Sequence, residues 1–251
     1  MKLTLSAKIF FGLVVLLSIL GALNVFLPQG NLIPGSYPAS KPVMALASFF
    51  IILIIYGILG FIGFILSSKI GFPEILDKKI SNRQRFFIPA IVGVALGILL
   101  IVVDTLVSKF NPLGPLPHPP FPTSIFASAA AGIGEELLFR LFFISFWVWL
   151  ISYIILKKKF QNQVFWIVAF ASAIVFAAGH FPSLMILYSL QNINQIPPIL
   201  IGEIFLLNVV ISIAAAYYFR KYGYVAAIGV HFWTDIVWHV IWGSFLIQLI
   251  T

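Results

Sequence analysis

Glu135 and Glu136, with Arg140 four residues further on, lie in a stretch of chain otherwise apolar enough to cross a bilayer. Two more groups share that setting: His180 with Phe176 four residues before it, and His231, Asp235 and His239 at successive intervals of four. An ionised side chain at the centre of a membrane helix costs roughly 2.5 kcal/mol or more, so each group calls for a partner and a function. On a helix, residues four apart share a face, whereas neighbours are turned by about 100°. Glu136 and Arg140 are therefore a natural buried ion pair, which leaves Glu135 directed elsewhere as the candidate general base. Phe176 is placed to pack on the His180 imidazole, and beside a carboxylate that imidazole would hold a water. His231 and Asp235 on one face suit either a hydrogen-bonding pocket for an oxyanion or a metal site with an open position. His239 continues the stripe and, like Phe176, is a candidate lining residue.

The chain has no cysteine, which removes thiol nucleophiles and thiolate metal sites, and it lacks a His-Glu-x-x-His pair. Activated water is then the expected nucleophile, with no cofactor and no assigned metal ligand. A zinc variant, using the histidines with Glu135 or Asp235, stays open. Ser128 has no base on its own helix face and is read as a small packing residue.

The elements that must position these groups follow from composition. Of the 251 residues, 61% are hydrophobic and 9% charged, with a mean hydropathy of +1.10; soluble proteins carry about 25% charged residues. The expected fold is all-α, a polytopic transmembrane helical bundle, with residues 1–251 forming a single integral membrane domain. Apolar runs place spans at about 9–27, 43–66, 86–107, 124–156, 163–182, 199–218 and 224–250, giving seven, or eight if a long one breaks. The basic start and first apolar run are read as a span rather than a removed signal peptide, because no small-x-small cleavage site follows.

The net charge of +8 does not indicate nucleic acid, because the basic residues follow the topology instead of forming a patch. Lys2, Lys8, Lys69, Lys78, Lys79, Arg83, Arg85, Lys157, Lys158, Lys159, Arg220 and Lys221 fall on one side, against Lys41 and Lys109 on the other. The positive-inside bias then sets the N-terminus in the cytoplasm of a cell-membrane protein whose surroundings are the lipid bilayer. Residues 111–122, rich in proline, make a stiff connector in which His118 is expected to be solvated. The fourth span is too long for a simple crossing, so it should tilt, protrude or break, and Gly132 and Gly134 permit a kink there. Asp104 and Glu203 are isolated in sequence, and Glu203 is a candidate for lining a cavity. No internal repeat is evident, so an inverted-repeat transporter has no positive support.

Three motifs in order on successive apolar segments, Glu135-Glu136-Leu137-Leu138-Phe139-Arg140, Phe176-Ala177-Ala178-Gly179-His180 and His231-Phe232-Trp233-Thr234-Asp235, resemble the CPBP intramembrane proteases. That family includes the CAAX prenyl endopeptidases and the bacteriocin-processing or immunity (Abi-like) proteins. The resemblance covers residues 124–240 and implies a helical bundle around a catalytic cavity. It implies Glu135 as the base that activates water, His180 as the holder of that water, and His231 with Asp235 at the oxyanion. Glu136 and Arg140 would be structural. Two positions depart from the pattern: Leu141 stands where many relatives have glycine, and Asp235 where some have asparagine. An aspartate reaches an oxyanion only when protonated or through His231.

The implied function is endopeptidase cleavage of a membrane-associated peptide or protein, including a prenylated CAAX-like one. The alternatives are a non-catalytic membrane protein of the immunity or partner-binding type and a proton-coupled transporter. By the charge count Glu135 and His180 lie toward the outer half of the membrane, in tension with CAAX processing from the cytosol.

Overall fold

A computed structural model describes residues 4–30 and 39–247. Among these residues there is no strand, and seven helices are long and apolar enough to cross a membrane. They are α1 (Leu5–Asn24), α2 (Lys41–Lys69), α3 (Arg83–Val107), α4 (Thr123–Ile155), α5 (Gln161–Leu187), α6 (Pro198–Tyr222) and α7 (Tyr224–Leu246). The chain is thus the all-α, multi-pass membrane protein that its composition implied. Boundaries move by a few residues: the first helix starts at Leu5 rather than about 9, and the expected end of the last span at 250 lies outside the described residues.

Small residues set the register of neighbouring helices. Gly21 abuts Ile52 while Gly60 abuts Phe10, so α1 and α2 run antiparallel. Gly132 faces Phe232 and the Ser124 and Ser244 hydroxyls meet at 3.0 Å, so α4 and α7 are antiparallel too. By contrast Gly93 faces Val230 and Gly97 faces Thr234 and Val237, which makes α3 and α7 parallel. A Cβ on Gly93 would fall 2.8 Å from the Trp233 Cβ, so only glycine admits this approach. The pairings together produce simple up-and-down alternation. Connectors 108–122 and 188–197 lie at one end of the bundle; 70–82, 156–160 and Gly223 lie at the other. Gly223 has a φ of 86° and sits with its Cα hydrogens against the Glu74 carbonyl, the tight turn that reverses α6 into α7.

The fourth helix does not break at its glycines. It runs unbroken and widens into π-helical turns at Leu137–Ile144 and Trp149–Ile155, immediately after Glu136. Gly132 and Gly134 serve close packing instead, against Phe232 and against Tyr56 with Leu17. The fifth helix turns at Gly179 and His180, then continues as the short segment Phe181–Leu187.

Two apolar cores result. One, toward the Gly223 end, joins Phe10, Leu137, Leu141, Ile144, Phe165 and Phe219 with their neighbours. The other, toward the opposite end, joins Leu100, Leu184, Leu200, Leu207, Ile211 and Trp238.

Candidate active site

The carboxylates of α4 diverge as helical geometry requires. Glu136 is fully buried and meets Arg140 at 3.1 Å, whereas the Glu135 side chain keeps 35% of its surface exposed. The Arg140 guanidinium lies over the Phe176 ring, 4.9 Å from its centroid, so an aromatic face takes part of the charge that no water reaches. Glu136 also has a second task that its spacing from Arg140 concealed: its Oε1 accepts a hydrogen bond from His231 Nδ1 at 2.8 Å. A carboxylate on Nδ1 fixes the ring and directs Nε2 the other way. That Nε2 stands 3.7 Å from Glu135 Oε2 and 3.6 Å from Asp235 Oδ2.

His180 sits at the turn in α5. Its Nδ1 donates to the Phe176 carbonyl at 2.9 Å, and the two rings meet edge to face with centroids 4.9 Å apart. Because a carbonyl only accepts, the neutral imidazole carries its lone pair on Nε2. Phe176 reaches His231 as well, at 5.9 Å, and so separates and aligns the two imidazoles. On α7, Thr234 Oγ1 bonds the carbonyls of Val230 and Gly93, and Tyr224 Oη donates to the Ile133 carbonyl at 2.6 Å. These bonds tie α7 to α3 and α4 on either side of His231.

Glu135, His180, His231, Asp235 and His239 all border one cavity of about 190 Å³, whose remaining wall is mainly aliphatic, with Trp238. Phe176 stands behind the histidines and does not line it. Asn208 does; it went unnoticed in the sequence, although a polar amide inside an apolar span was the available signal. Its Nδ2 donates to the Ile204 carbonyl at 2.8 Å, which leaves a second N–H. Ser128 spends its hydroxyl on the Ser124 carbonyl at 2.8 Å and is buried, as a packing residue would be.

Three expectations change. Glu203 is absent from the cavity wall, and neither it nor Asp104 is isolated: the two buried carboxyls lie close enough between α3 and α6 to interact with each other. Asp104 also accepts the Leu116 amide at 3.0 Å, which anchors the proline-rich connector. His118 is packed rather than solvated, 4.6 Å from the Trp238 ring and with its Nδ1 3.0 Å from that of His239. Burial pushes the His118 imidazole down to about 4. Tyr188, just beyond α5, donates to the Pro115 carbonyl at 3.0 Å; burial, and then the Asp104 and Glu203 carboxylates, push its hydroxyl up to about 12.

As to metals, among the described residues no three His, Asp or Glu side chains are arranged to hold an ion. The Nδ1 atoms of His180 and His231 are already engaged by Phe176 and Glu136.

The chain is thus a helical membrane bundle with a carboxylate–imidazole cluster facing a largely apolar cavity. Residues 117–237 match the family model described as type II CAAX prenyl endopeptidase Rce1-like, a match that supports a CAAX/CPBP intramembrane protease. The match brackets the motifs at Glu135, His180 and His231 and bears out the resemblance read from them. It supports CAAX-type intramembrane endopeptidase activity in general, a family whose substrates are membrane-associated proteins. No curated protein and no solved structure matches the chain.

Proposed function

We propose that this protein hydrolyses a peptide bond of its membrane-associated substrate with water activated by Glu135. The observation that carries the reading is the contrast within the glutamate pair: Glu136 is fully buried and paired, while Glu135 reaches the cavity between His180 and His231. In this mechanism a water donates one hydrogen bond to the Glu135 carboxylate and the other to His180 Nε2. Glu135 takes the first proton as the oxygen attacks the scissile carbonyl carbon. The carbonyl oxygen becomes an oxyanion, to which His231, as an imidazolium with its Nδ1–H on Glu136, presents its Nε2–H. Asp235, with its carboxyl 3.6 Å from the same Nε2, acts on His231 through charge, which suits an aspartate better than a direct contact with the oxyanion would. Glu135 then returns the proton to the amide nitrogen as the C–N bond breaks, releasing a carboxylic acid and an amine.

Leu100, Leu184, Leu207, Ile211 and Trp238 offer the substrate an apolar wall, which fits a hydrophobic segment or a prenylated CAAX-like tail. The protein would reside in the cell membrane with its N-terminus in the cytoplasm, because the basic residues gather at the end where α1 begins.

The test compares wild type with Glu135→Gln, purified in detergent, on fluorogenic peptides with and without a prenyl group. Loss of the general base should lower kcat by about 10²–10⁴-fold with the fold intact. Turnover retained in Glu135→Gln would remove the mechanism. Cleavage confined to the prenylated peptides would assign the CAAX-like substrate.

A further inference from the structure

We infer that the catalytic cavity is reached from the non-cytoplasmic side of the membrane, so that the substrate presents its scissile bond at the outer leaflet rather than on a cytosolic tail. The inference rests on the protease reading and concerns only the side from which that site is entered.

Three observations carry it. The first is where the cavity lies along the bundle. Its wall includes Leu116 and Pro117 of the 108–122 connector and Leu187 at the end of α5, next to the 188–197 connector. Glu135 lies nearer Thr123, where α4 leaves the same connector, than Ile155 at the helix's far end. The second is what fills the opposite end: Leu137, Leu141, Ile144, Phe165 and Phe219 are nearly or fully buried in one dry cluster, which shuts the site off in that direction. The third is charge. Lys69, Lys79, Lys158, Lys159 and Lys221 are exposed at the closed end, whereas the cavity end holds only Lys41 and Lys109. Short loops enriched in Lys and Arg stay in the cytoplasm. The loops concerned, 70–82 and 156–160, are short enough for that bias to act at full strength.

The chemistry agrees with the geometry. The connector at the open end is proline-rich, and the 188–197 connector carries the neutral cluster Gln191, Asn192 and Gln195. Apart from Lys109, these two connectors carry no charged side chain and offer hydrogen bonds and an apolar wall. A segment leaving the outer leaflet, its apolar part still in lipid, meets them directly. A soluble cytosolic tail would have to cross the packed cluster beneath Glu135.

Because the chain has no cysteine, each single-cysteine variant carries one reporter. Ser183→Cys lies exposed at the cavity wall, Lys109→Cys is exposed in the connector beside it, and Lys79→Cys is exposed at the basic end. Each full-length variant is placed in right-side-out membrane vesicles and treated with a membrane-impermeant maleimide, before and after detergent. The expected result is that Ser183→Cys and Lys109→Cys label to the same extent before and after detergent, while Lys79→Cys labels only after. Labelling of Lys79→Cys in sealed vesicles overturns the inference. So does protection of Lys109→Cys or Ser183→Cys until detergent is added. None of these readouts needs turnover, so the access inference and the Glu135 mechanism fail separately.

Discussion

The two ends of the bundle solve the membrane problem differently. Toward Gly223 the helices close on Phe10, Leu137, Leu141, Ile144, Phe165 and Phe219, and the ionic groups buried at the edge of that core, Glu136 and Arg140, are paired with each other. Toward the 108–122 connector the apolar cluster is hollow, and polar groups accumulate around the space: Asp104 with Glu203, His118 with His239, and Asn208. Lipid gives helices no hydrophobic reason to associate, so cohesion must come from close packing and internal polar bonds. The half toward Gly223 has the larger packed core, and the open half gathers its polar groups near the cavity. His231 stands at their boundary, with Nδ1 held from the dry side by Glu136 and Nε2 turned to the open side.

Severing the Glu136–Arg140 pair should have the largest effect. Arg140→Met leaves the Glu136 carboxylate buried without its partner, a loss of about 3–5 kcal/mol for a fully buried pair. Thermal unfolding in detergent measures it. The double variant Glu136→Gln, Arg140→Met should recover much of that stability, yet not activity, because His231 Nδ1 loses its carboxylate. If the double variant cleaves normally, Glu136 has no orienting role. Packing tests the same contrast on a smaller scale. A side chain on Gly63 would fall 2.6 Å from the Leu141 carbonyl carbon and 2.7 Å from Phe142 Cα. Gly63→Leu should therefore force α2 from α4 and cost about 1–3 kcal/mol. Leu207→Phe faces the cavity, so it should change stability by less than about 1.5 kcal/mol while raising KM for bulky substrates. Equal destabilisation by both would mean that the two halves are equally packed.

Much of this was legible because membrane helices write their periods plainly. The seven spans, the Glu136–Arg140 pair and the contact between Phe176 and His180 all follow from apolar run length and spacing of four. What stayed hidden depends on contacts between helices. Asp104 and Glu203 are on different spans, and nothing along the chain says that they meet. Glu136 looked complete once Arg140 was assigned, so its bond to His231 had no signal. The π-helical turns after Glu136 leave no composition mark, and nothing in the sequence says that the nearby glycines pack against Phe232 and Tyr56. A proline-rich connector has no periodicity at all, which is why the burial of His118 could not be read.

That connector yields the smallest effect and the finest test of the open end. With His118 docked against Trp238 and His239, burial holds its imidazole at about 4, whereas an undocked, solvated histidine titrates near 6.5. Below pH of about 6.5 the undocked connector binds a proton that the docked one refuses until about 4, so docking is fully favoured above that window and weakens through it as pH falls. His239 meets His118 directly; the Tyr188 hydroxyl, held at about 12, does not titrate in the window and keeps its bond to the Pro115 carbonyl. Asp104 anchors the Leu116 amide in wild type and in any His118 variant alike. A spin label on Pro112→Cys, an exposed connector position, should therefore grow more mobile between pH 6.5 and 4, and the change should flatten when His118→Phe is added. Equal mobility across that range in the His118 background would mean that the connector is held by Asp104 and Tyr188 alone, and that the imidazole merely fills space beside Trp238.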